Sequence, residues 1–463
     1  MRNQATDKTQ IFESMPVSRA LRTMAVPTII SQLINLIYNM VDAFFIGRTG
    51  NSYMMAATSL TLTLVMMNTA LSNLFGVGGG SLVARLLGAG EEKEARRASA
   101  FSVYGGLLIG LVYAALVWIF LDPLLLFFGA SEATLDYARV YTLIVTVAGS
   151  IPAILSMTLA HLLRNAGYSS QASRGLSLGG VLNIALDPLF MFVLLPRGNE
   201  VAGAAIATLL SNLVAVVYLL IAYRGAVRTA PLSLSLKTAL ETRKRSVREI
   251  FAVGVPSVIL TGLFDVANIS VNRLAAAHSD LVLAGMGIVM KVERIPNAIN
   301  VGLCQGMLPI VAYNYSSGNH ERKEAVIRTA RIWGLVIAGV SILSFQLLAL
   351  PLTRFFMSTG SDNAELAVKT IAFAELFLRI RCLASPSQFI NYHTSYCMQA
   401  MGNGRETMLH SVVRQLVIYI PMMILLDRLF GETGLAAALP VSETLSAVFA
   451  FWLLRKILKT HVK

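Results

Sequence analysis

Twelve apolar segments, each long enough to cross a lipid bilayer as a helix, constrain this sequence more than any other feature. About 20 helical residues at roughly 1.5 Å each match a hydrocarbon core of about 30 Å. Of the 463 residues, 55% are hydrophobic and 14% are charged, which is too apolar for a soluble chain of this length. The sequence therefore predicts an all-α integral membrane protein. The twelve segments are residues 24–46, 54–77, 98–121, 138–160, 174–194, 201–222, 250–276, 281–311, 330–352, 370–398, 409–429 and 434–457.

The formal net charge of +13 indicates topology rather than nucleic-acid binding. Most of the 38 Lys and Arg residues lie in the two termini and in alternate loops, which share one side of the membrane. Loops rich in Lys and Arg face the cytoplasm. We therefore expect a multi-pass protein of the cell (inner or plasma) membrane, with both termini cytoplasmic, contacts to membrane lipid and no nucleic-acid partner. The polar N-terminus up to Arg22 shows no pattern of a cleavable signal peptide.

The longest polar stretch divides the chain into two sets of six segments. We expect an N-terminal six-helix lobe (residues 1–223), a cytoplasmic linker (224–249) and a C-terminal six-helix lobe (250–463). The halves share short motifs at equivalent places: Val26-Pro27 and Val255-Pro256, Ala166-Gly167 and Met401-Gly402, and Gly203 and Gly434. Because each half crosses the membrane an even number of times, the two repeats are parallel, as in secondary transporters that alternate access between two lobes.

The first apolar segment carries a stripe of polar side chains that cannot face lipid. The stripe residues recur at spacings of four and three, which places them on one face of a helix: Thr28, Gln32, Asn35, Asn39 and Asp42. An ionisable group inside the hydrocarbon is costly without water or a partner, so Asp42 indicates a functional site. The amides have a second interpretation, because such side chains also hydrogen-bond neighbouring helices.

Three stretches resemble a known family: VPTIISQLINLIYNMVDAFFIGRTG from Val26, QGMLPIVAYNYSSGN from Gln305 and ALPVSET from Ala438. In both halves and in order, they are similar to the multidrug and toxic compound extrusion (MATE) family, in its MepA-like bacterial branch. This resemblance implies a V-shaped pair of six-helix lobes. It also implies export of organic, often cationic compounds, driven by the entry of protons or sodium ions.

Oxygen-bearing side chains of the first, fifth and sixth helices reach the same depth. By helical rise, Asp42 and Asp187 each lie about 20 Å from the cytoplasmic ends of their helices, and Thr208 lies about 10 Å below the outer end of the sixth. Asn183 precedes Asp187 by one turn. These oxygens suit a hard cation such as Na⁺, while two neighbouring carboxylates also suit a proton because their charges repel.

The resemblance points to the same four positions as the first-lobe cation site, and it adds Tyr38 beside Asp42. Other interpretations stay open from the residues alone. Asn183 and Thr208 could serve interhelical hydrogen bonding, and Asp187 could be a helix-end carboxylate.

The second half differs because its acids have basic residues nearby. Its helices carry Asp265, Glu293 and Glu375 together with Lys291, Arg294, Arg379, Arg381 and Arg414. Glu375 and Arg379 have the i, i+4 spacing of a helix-face ion pair. Here the chain departs from the sodium-coupled branch of the family. We therefore expect a buried structural network rather than a second cation site, and we favour H⁺ over Na⁺ as the coupling ion.

These patterns predict a secondary antiporter that exports organic, cationic or amphipathic compounds in exchange for H⁺ or Na⁺, as a monomer with no other cofactor. The candidates for a substrate cavity or a structural network are Gln32, Asn35, Asn39, Asp265, Met290, Glu293 and Arg379. The alternative is a lipid-linked oligosaccharide flippase, whose cavity would need basic residues to hold a pyrophosphate. An enzyme is not expected, since no zinc motif of the HExxH type occurs.

Overall fold

The structure is a computed structural model that describes residues 9–357 and 364–460. Within these residues, nine helices are long and apolar enough to cross a membrane, and a bent pair, Glu132–Ala148 with Ser150–Asn165, makes a further crossing. One of the nine, Gly404–Ile457, is two crossings, because Gly431 (φ 62°, ψ −145°) interrupts it. The nine helices thus give ten crossings, the bent pair adds one, and the helical residues 364–400 add one more. The described chain therefore has the twelve crossings that the sequence predicts.

The twelve helices are numbered in chain order, and each predicted apolar segment corresponds to one of them. They are α1 Val17–Gly47, α2 Ser52–Gly88, α3 Glu92–Ile119, α4 132–165, α5 Ser169–Leu194, α6 Glu200–Val227, α7 Lys244–His278, α8 Asp280–Ser316, α9 His320–Met357, α10 364–400, α11 404–430 and α12 432–460. Two short helices, Leu121–Phe127 and Leu236–Leu240, lie in connections. We call the side of the bundle that carries residues 228–243 the linker side.

Local chemistry places the turns between helices where the sequence indicates them. The side chain of Asn51 accepts hydrogen bonds from the backbone N–H groups at the start of α2, and Ser279 does the same for α8. Gly90 before α3 and Gly318 before α9 have φ values of 73° and 77°, a conformation that favours glycine. These equivalent turns give both repeats the same helical hairpin on the linker side.

Four of the helices contain non-α turns. α4 has a π-helical segment, Leu143–Ala148, followed by a 44° bend, and α5 ends in a π-helical segment, Phe190–Leu194, directly after Pro188. α10 is interrupted by a 3₁₀ turn at Cys382–Ala384, and α11 has a π-helical segment at Val413–Tyr419. Proline removes a backbone hydrogen bond, which explains the break in α5.

The two halves meet on the linker side through two equivalent helix pairs, α1 with α8 and α2 with α7. Small residues allow the backbones to touch at both places. A Cβ atom added at Gly306 would lie 2.5 Å from Cα of Ala25, and one added at Gly254 would collide with the carbonyl oxygen of Leu74. We call these two backbone contacts, at Gly306 and Gly254, the seal.

Hydrogen bonds between the halves extend from the middle of the membrane to the linker side. Gln32 Nε2 of α1 donates to Gln305 Oε1 of α8 (3.1 Å), and Asn73 Nδ2 of α2 donates to Thr261 Oγ1 of α7 (3.3 Å). Nearer the linker side, Ser81 Oγ donates to the Gln399 carbonyl (2.6 Å), and Arg85 pairs with Glu249 (3.1 Å). The halves are therefore closed against each other on this side.

On the opposite side, the residues of α1 are less buried. Its fully buried residues run from Ala20 to Ser31, and the next one is Ile46. The stretch between them, which contains Asn35, Asn39 and Asp42, is partly or largely exposed. The halves thus form the V-shaped arrangement implied by the resemblance, with its closed end on the linker side.

Two side chains at equivalent positions, each the fourth residue after Gly90 or Gly318, contact the other half. Glu94 of the first half holds the start of α7, and Arg322 of the second half holds the segment before α1. Glu94 Oε1 accepts from Ser246 Oγ (2.6 Å) and from the backbone N–H of Arg243 (3.1 Å) at the start of α7. Arg322 donates to the carbonyls of Phe12 (2.6 Å) and Met15 (2.6 Å), just before α1. We call these contacts the two clamps.

The seal predicts that Gly254→Ala destabilises the structure in which the halves are closed on the linker side. The added methyl group would meet the backbone carbonyl of Leu74, which cannot rotate away as a side chain could. Gly262→Ala is the matched control, since a Cβ there meets nothing within 4 Å on the same helix. We expect the midpoint of thermal unfolding of the purified protein to fall for Gly254→Ala and to be unchanged or slightly higher for Gly262→Ala. Equal midpoints for the two variants would contradict the seal.

Candidate functional site

The candidate site begins on α5, where Asn183 and Asp187 share one face. Both side chains are buried, with relative exposures of 2% and 0%. Asn183 Nδ2 donates to Asp187 Oδ1 (3.2 Å) and to Thr208 Oγ1 of α6 (3.3 Å). Three of the residues predicted from sequence are therefore joined by direct hydrogen bonds. Asp187 is an interior carboxylate and not a solvated helix end.

α1 brings Tyr38 and Asp42 to the same place. Asp42 and Asp187 lie within electrostatic interaction range of each other, and both interact with the phenol of Tyr38. Gly180 of α5 makes this approach possible, because a Cβ there would lie 2.8 Å from Ile34 and 3.3 Å from Tyr38. All five predicted positions thus form one cluster between α1, α5 and α6, which we call the carboxylate pocket.

The carboxylate pocket has more acceptors than donors. Three of its buried oxygens have no hydrogen-bond partner: Oδ1 of Asp42, Oδ2 of Asp187 and Oδ1 of Asn183. A buried acceptor without a donor costs about 1–3 kcal/mol, and more when it is charged. A proton on the carboxylates or a small cation between these oxygens would remove that cost. The donor set of carboxylate, amide and hydroxyl oxygens fits Na⁺ as well as H⁺.

Tyr141 of α4 is a member of the carboxylate pocket that the sequence did not reveal. Its side chain is buried and interacts electrostatically with Asp42, Tyr38 and Asp187. It lies two residues before the π-helical segment of α4, Leu143–Ala148. A tyrosine in an apolar segment is ordinary in sequence, so only the three-dimensional arrangement distinguishes this one.

The remaining polar residues of α1 bond elsewhere. Gln32 contacts Gln305 in the interface between the halves, and Thr28 lies 3.1 Å from Ser169 of α5. Asn39 Nδ2 donates to the carbonyl (2.7 Å) and the side-chain oxygen (2.8 Å) of Asn35, one turn earlier on the same helix. For Gln32 the geometry thus favours the interhelical interpretation, whereas Asn35 and Asn39 line the partly exposed stretch of α1.

Two candidate acids of the second half, Glu293 and Glu375, are paired with arginines. Glu293 of α8 forms two hydrogen bonds with Arg381 of α10, at 2.9 and 2.8 Å. Glu375 bonds Arg379 at 2.8 Å on the same helix, and Arg379 also donates to the Gln346 carbonyl at 2.6 Å. The predicted structural network is therefore present in this part of the molecule.

Two further candidates of the second half lie near this network. Asp265 of α7 is partly buried and interacts electrostatically with Arg294 of α8. Met290 packs against the hydrophobic core cluster that contains Met286 and Val289. Neither residue joins Glu293 or Arg379 in a shared hydrogen bond within the described part of the chain.

Arg414 of α11 has a partner that sequence analysis missed. Its guanidinium forms hydrogen bonds at 2.7 and 3.1 Å with Glu443 of α12, and both side chains are buried. Asn391 of α10 donates to the same carboxylate (2.6 Å), and the ring of Tyr392 lies 4.8 Å from the guanidinium. Glu443 lies inside the ALPVSET stretch, 29 residues after Arg414, so helical spacing gave no signal for this pair.

One stretch of α5 matches the letters of a hydrolase motif, GxSxG, from Gly175 to Gly179. That motif requires its serine on a sharp turn between a strand and a helix. Ser177 lies inside the helix Ser169–Leu189, and a Cβ at Gly175 would lie 2.5 Å from Leu219 of α6. The glycines therefore allow close packing between α5 and α6, and the motif carries no catalytic meaning.

Metal-ligand clusters of the usual kind do not occur in the described residues. No group of three His, Cys, Asp or Glu side chains gathers in residues 9–357 or 364–460, and the cysteines Cys304, Cys382 and Cys397 are buried in the core. A cation in the carboxylate pocket would therefore depend on the amide of Asn183 and the hydroxyl of Thr208 in addition to the two carboxylates.

Comparison with protein families gives two matches along the chain. The family model described as MatE matches residues 27–189 and residues 254–425. These two ranges begin at equivalent positions near the start of α1 and α7. Together they cover most of the chain.

Curated relatives match almost the full length. The multidrug export protein MepA of Staphylococcus haemolyticus is 30% identical over 96% of this chain and 94% of its own. That of Staphylococcus saprophyticus is 28% identical over 95% and 94%.

Solved structures share the fold. A multidrug resistance MATE family transporter of the MOP superfamily in an outward-facing conformation superposes with a TM-score of 0.90 at 21% identity, covering 98% of both chains. A MATE protein in complex with MaL6 gives a TM-score of 0.91, also at 21% identity and 98% of both chains. The predicted fold class of two parallel six-helix repeats is confirmed.

The second-half network predicts that Glu293→Gln is strongly destabilising. Loss of the carboxylate leaves the guanidinium of Arg381, which is 5% exposed, buried without an anion, at a cost of about 3–5 kcal/mol. Glu375→Gln is the matched control, because its pair is 28–40% exposed and is worth at most about 1 kcal/mol. Thermal unfolding midpoints measure both, and the double variant Glu293→Leu, Arg381→Met should recover most of the loss. A larger effect at Glu375 would contradict this account.

Proposed function

The chain belongs to the MatE family, and from this premise we propose that it is a secondary antiporter that exports organic compounds of several kinds in exchange for H⁺ or Na⁺. The observation that carries the proposal is the carboxylate pocket. It combines two acidic side chains, Asp42 and Asp187, with three unpaired oxygens on helices beside the open end of the V. Such a pocket binds cations in one state of the transporter and releases them in another.

We propose H⁺ as the coupling ion. Two carboxylates in one buried pocket repel each other when both are ionised, so the pocket holds a proton readily. Glu293 and Glu375 of the second half already have arginine partners, and Asp265 lies near Arg294, which favours the first half as the place where protons bind. Na⁺ remains the second candidate, because the amide and hydroxyl oxygens of the pocket also suit it.

Exchange follows when drug and ion prefer different states of the pocket. Ionised, Asp42 and Asp187 attract an organic cation entering from the cytoplasmic side. Protonated by a more acidic exterior, they lose that attraction, and the cation leaves outward. An antiporter needs this reciprocity, since each ligand must bind best to the state that the other has left.

The flippase alternative is disfavoured by the charges of the cavity. A pyrophosphate would need free basic groups, yet Arg379, Arg381 and Arg414 each hold a carboxylate. The curated relatives that match the full length are multidrug export proteins. We therefore assign cationic and amphipathic small molecules, rather than a lipid-linked oligosaccharide, as the substrates.

The coupling proposal predicts that Asp42→Asn abolishes ion-driven efflux and that Asp187→Asn does nearly as much, with insertion into the membrane unchanged. Asp265→Asn makes the same chemical change in the second half and should leave transport coupled. The measurement is efflux of a fluorescent organic cation from proteoliposomes with a pH gradient or a Na⁺ gradient imposed separately.

Two outcomes would overturn parts of this proposal. Wild-type efflux that ignores pH gradients and responds only to Na⁺ would replace H⁺ by Na⁺ as the coupling ion. Full efflux by the Asp42→Asn, Asp187→Asn double variant would remove the carboxylate pocket from the mechanism.

We also propose that the linker side is the cytoplasmic side, which places both termini inside the cell. We further propose that the protein works as a monomer in the cell membrane. Ser235 lies on the linker side, at the start of the short helix Leu236–Leu240. A cysteine at this position should resist impermeant thiol reagents applied to intact cells and should react after the cells are opened. Rapid labelling in intact cells would reverse the topology.

A further inference from the structure

Among the described residues, Lys291 of α8 is a basic side chain that reaches the open cleft between the halves without a partner. It lies well inside the helix Asp280–Ser316, and it is exposed. No hydrogen bond or ion pair of residues 9–357 and 364–460 involves its ammonium group. An ionisable group within a membrane-spanning helix is costly unless it faces water or a partner, so this position indicates a function.

The face of α8 that carries Lys291 is the face turned toward the first half. Nearer the linker side, a Cβ at Gly302 would lie 2.7 Å from Cα of Ile29 on α1. At 3.6 residues per turn, Lys291 and Gly302 lie within about 20° of each other around the helix axis. Val289 and Val292, on other faces of α8, are fully buried in the core of the second half. Lys291 therefore projects into the cleft, where the two halves have separated.

Lys291 lies close to the level of the carboxylate pocket. α1 leaves the linker side and α8 returns to it, so the two helices run in opposite directions. From the contact between Gly302 and Ile29, eleven residues toward the open end lead to Lys291 on α8 and to Met40 on α1, each about 16 Å away by helical rise. Met40 precedes Asp42 by two residues. A molecule that contacts the carboxylate pocket from the cleft therefore has Lys291 on the opposite wall at nearly its own depth.

The charged neighbours of Lys291 offset one another in pairs. Glu293 is held by Arg381, and Arg294 interacts electrostatically with Asp265 of α7. Lys291 thus adds a positive charge that these four residues do not compensate. The two walls of the cleft differ in sign, with two carboxylates on the first half and an ammonium group on the second.

We propose that Lys291 is an anion-recognising subsite, which binds a carboxylate carried by the transported compound beside its cationic group. The subsite rests on the antiporter function proposed above and specifies zwitterions as one class of its substrates. An ammonium group offers three donors to a carboxylate. A compound with negative charge alone, such as a pyrophosphate, would be repelled by ionised Asp42 and Asp187. A zwitterion instead meets an opposite charge on each wall, the complementarity that gives specificity.

Two dyes that share one ring system separate the two charges. Rhodamine 123 is the methyl ester of rhodamine 110, so the first is a cation and the second is a zwitterion with a free carboxylate. Fluorescence polarisation measures the binding of each dye to the purified full-length protein at neutral pH, without an ion gradient. We expect Lys291→Gln to lower the affinity for rhodamine 110, relative to that for rhodamine 123, by about threefold to tenfold, as for a partly solvated charged contact.

Three further variants control for charge and position. Lys291→Arg keeps the positive charge and should retain most of the preference, whereas Lys291→Glu should weaken rhodamine 110 binding further. Lys237→Gln makes the same chemical change at an exposed lysine on the linker side, away from the open cleft. It should leave the relative affinities of the two dyes as in the wild type. Thermal unfolding midpoints report whether each variant is folded.

Any of three results would overturn the subsite. The wild type might as well lack Lys291 if it binds rhodamine 110 no better than Lys291→Gln does. Equal losses for both dyes would assign Lys291 a structural role, and an equal change of preference in Lys237→Gln would assign the effect to general surface charge. Gradient-driven efflux of rhodamine 123 from proteoliposomes tests the antiporter separately. Without such efflux, binding of rhodamine 110 that depends on Lys291 would reject the antiporter and keep the subsite.

Discussion

Backbone contact between the two halves is the constraint on which the rest of this molecule depends. Gly306 against Ala25 and Gly254 against Leu74 bring α1 onto α8 and α2 onto α7 with no side chain between them. Because the contact is made by backbone, it is either complete or absent, since there is no flexible group to accommodate an intermediate separation. One side of the cleft can therefore open only when these contacts part. α1 carries one of the two contacts of the seal, at Ala25, and contributes Tyr38 and Asp42 to the carboxylate pocket, so the same helix joins the pocket to the closed side of the cleft.

The two repeats differ in whether their buried carboxylates have cationic partners, and this difference bears on where an ion could bind. Asp42 and Asp187 in the first half have unpaired oxygens, whereas Glu293 in the second half is held by two hydrogen bonds from Arg381. A carboxylate already bound to a buried guanidinium does not release its partner to take up a proton, because an unpaired buried cation would remain. In the function we propose, the first lobe therefore binds the ion and the second lobe serves as its stable counterpart.

The fold could be predicted from the sequence because membrane crossing imposes length and apolarity on every helix, and duplication repeats the turn signals. The carboxylate pocket could be predicted as far as helical rise and spacing reach, which places Asn183 and Asp187 together and at the depth of Asp42. Tyr141 and Glu443 could not be found, because each meets its partners on other helices, and the spacing of residues within one helix does not predict such contacts. The role of Gly254 was also hidden, since a glycine in an apolar segment gives no sign of the backbone it will touch.

The two clamps show how one geometric task is met by opposite charges. The segment entering α7 presents free N–H groups at a helix start, which need an acceptor, and Glu94 supplies a carboxylate. The segment before α1 contains a short helix, residues 9–13, whose last carbonyls need a donor. Arg322 supplies a guanidinium, which bonds the carbonyls of Phe12 and Met15. Glu94 belongs to the first half and holds the start of α7, the first helix of the second half. Arg322 belongs to the second half and holds the segment before α1, the first helix of the first half. Each clamp thus fastens the chain, within a few residues of the start of α7 at Lys244 or of α1 at Val17, to the other half on the linker side.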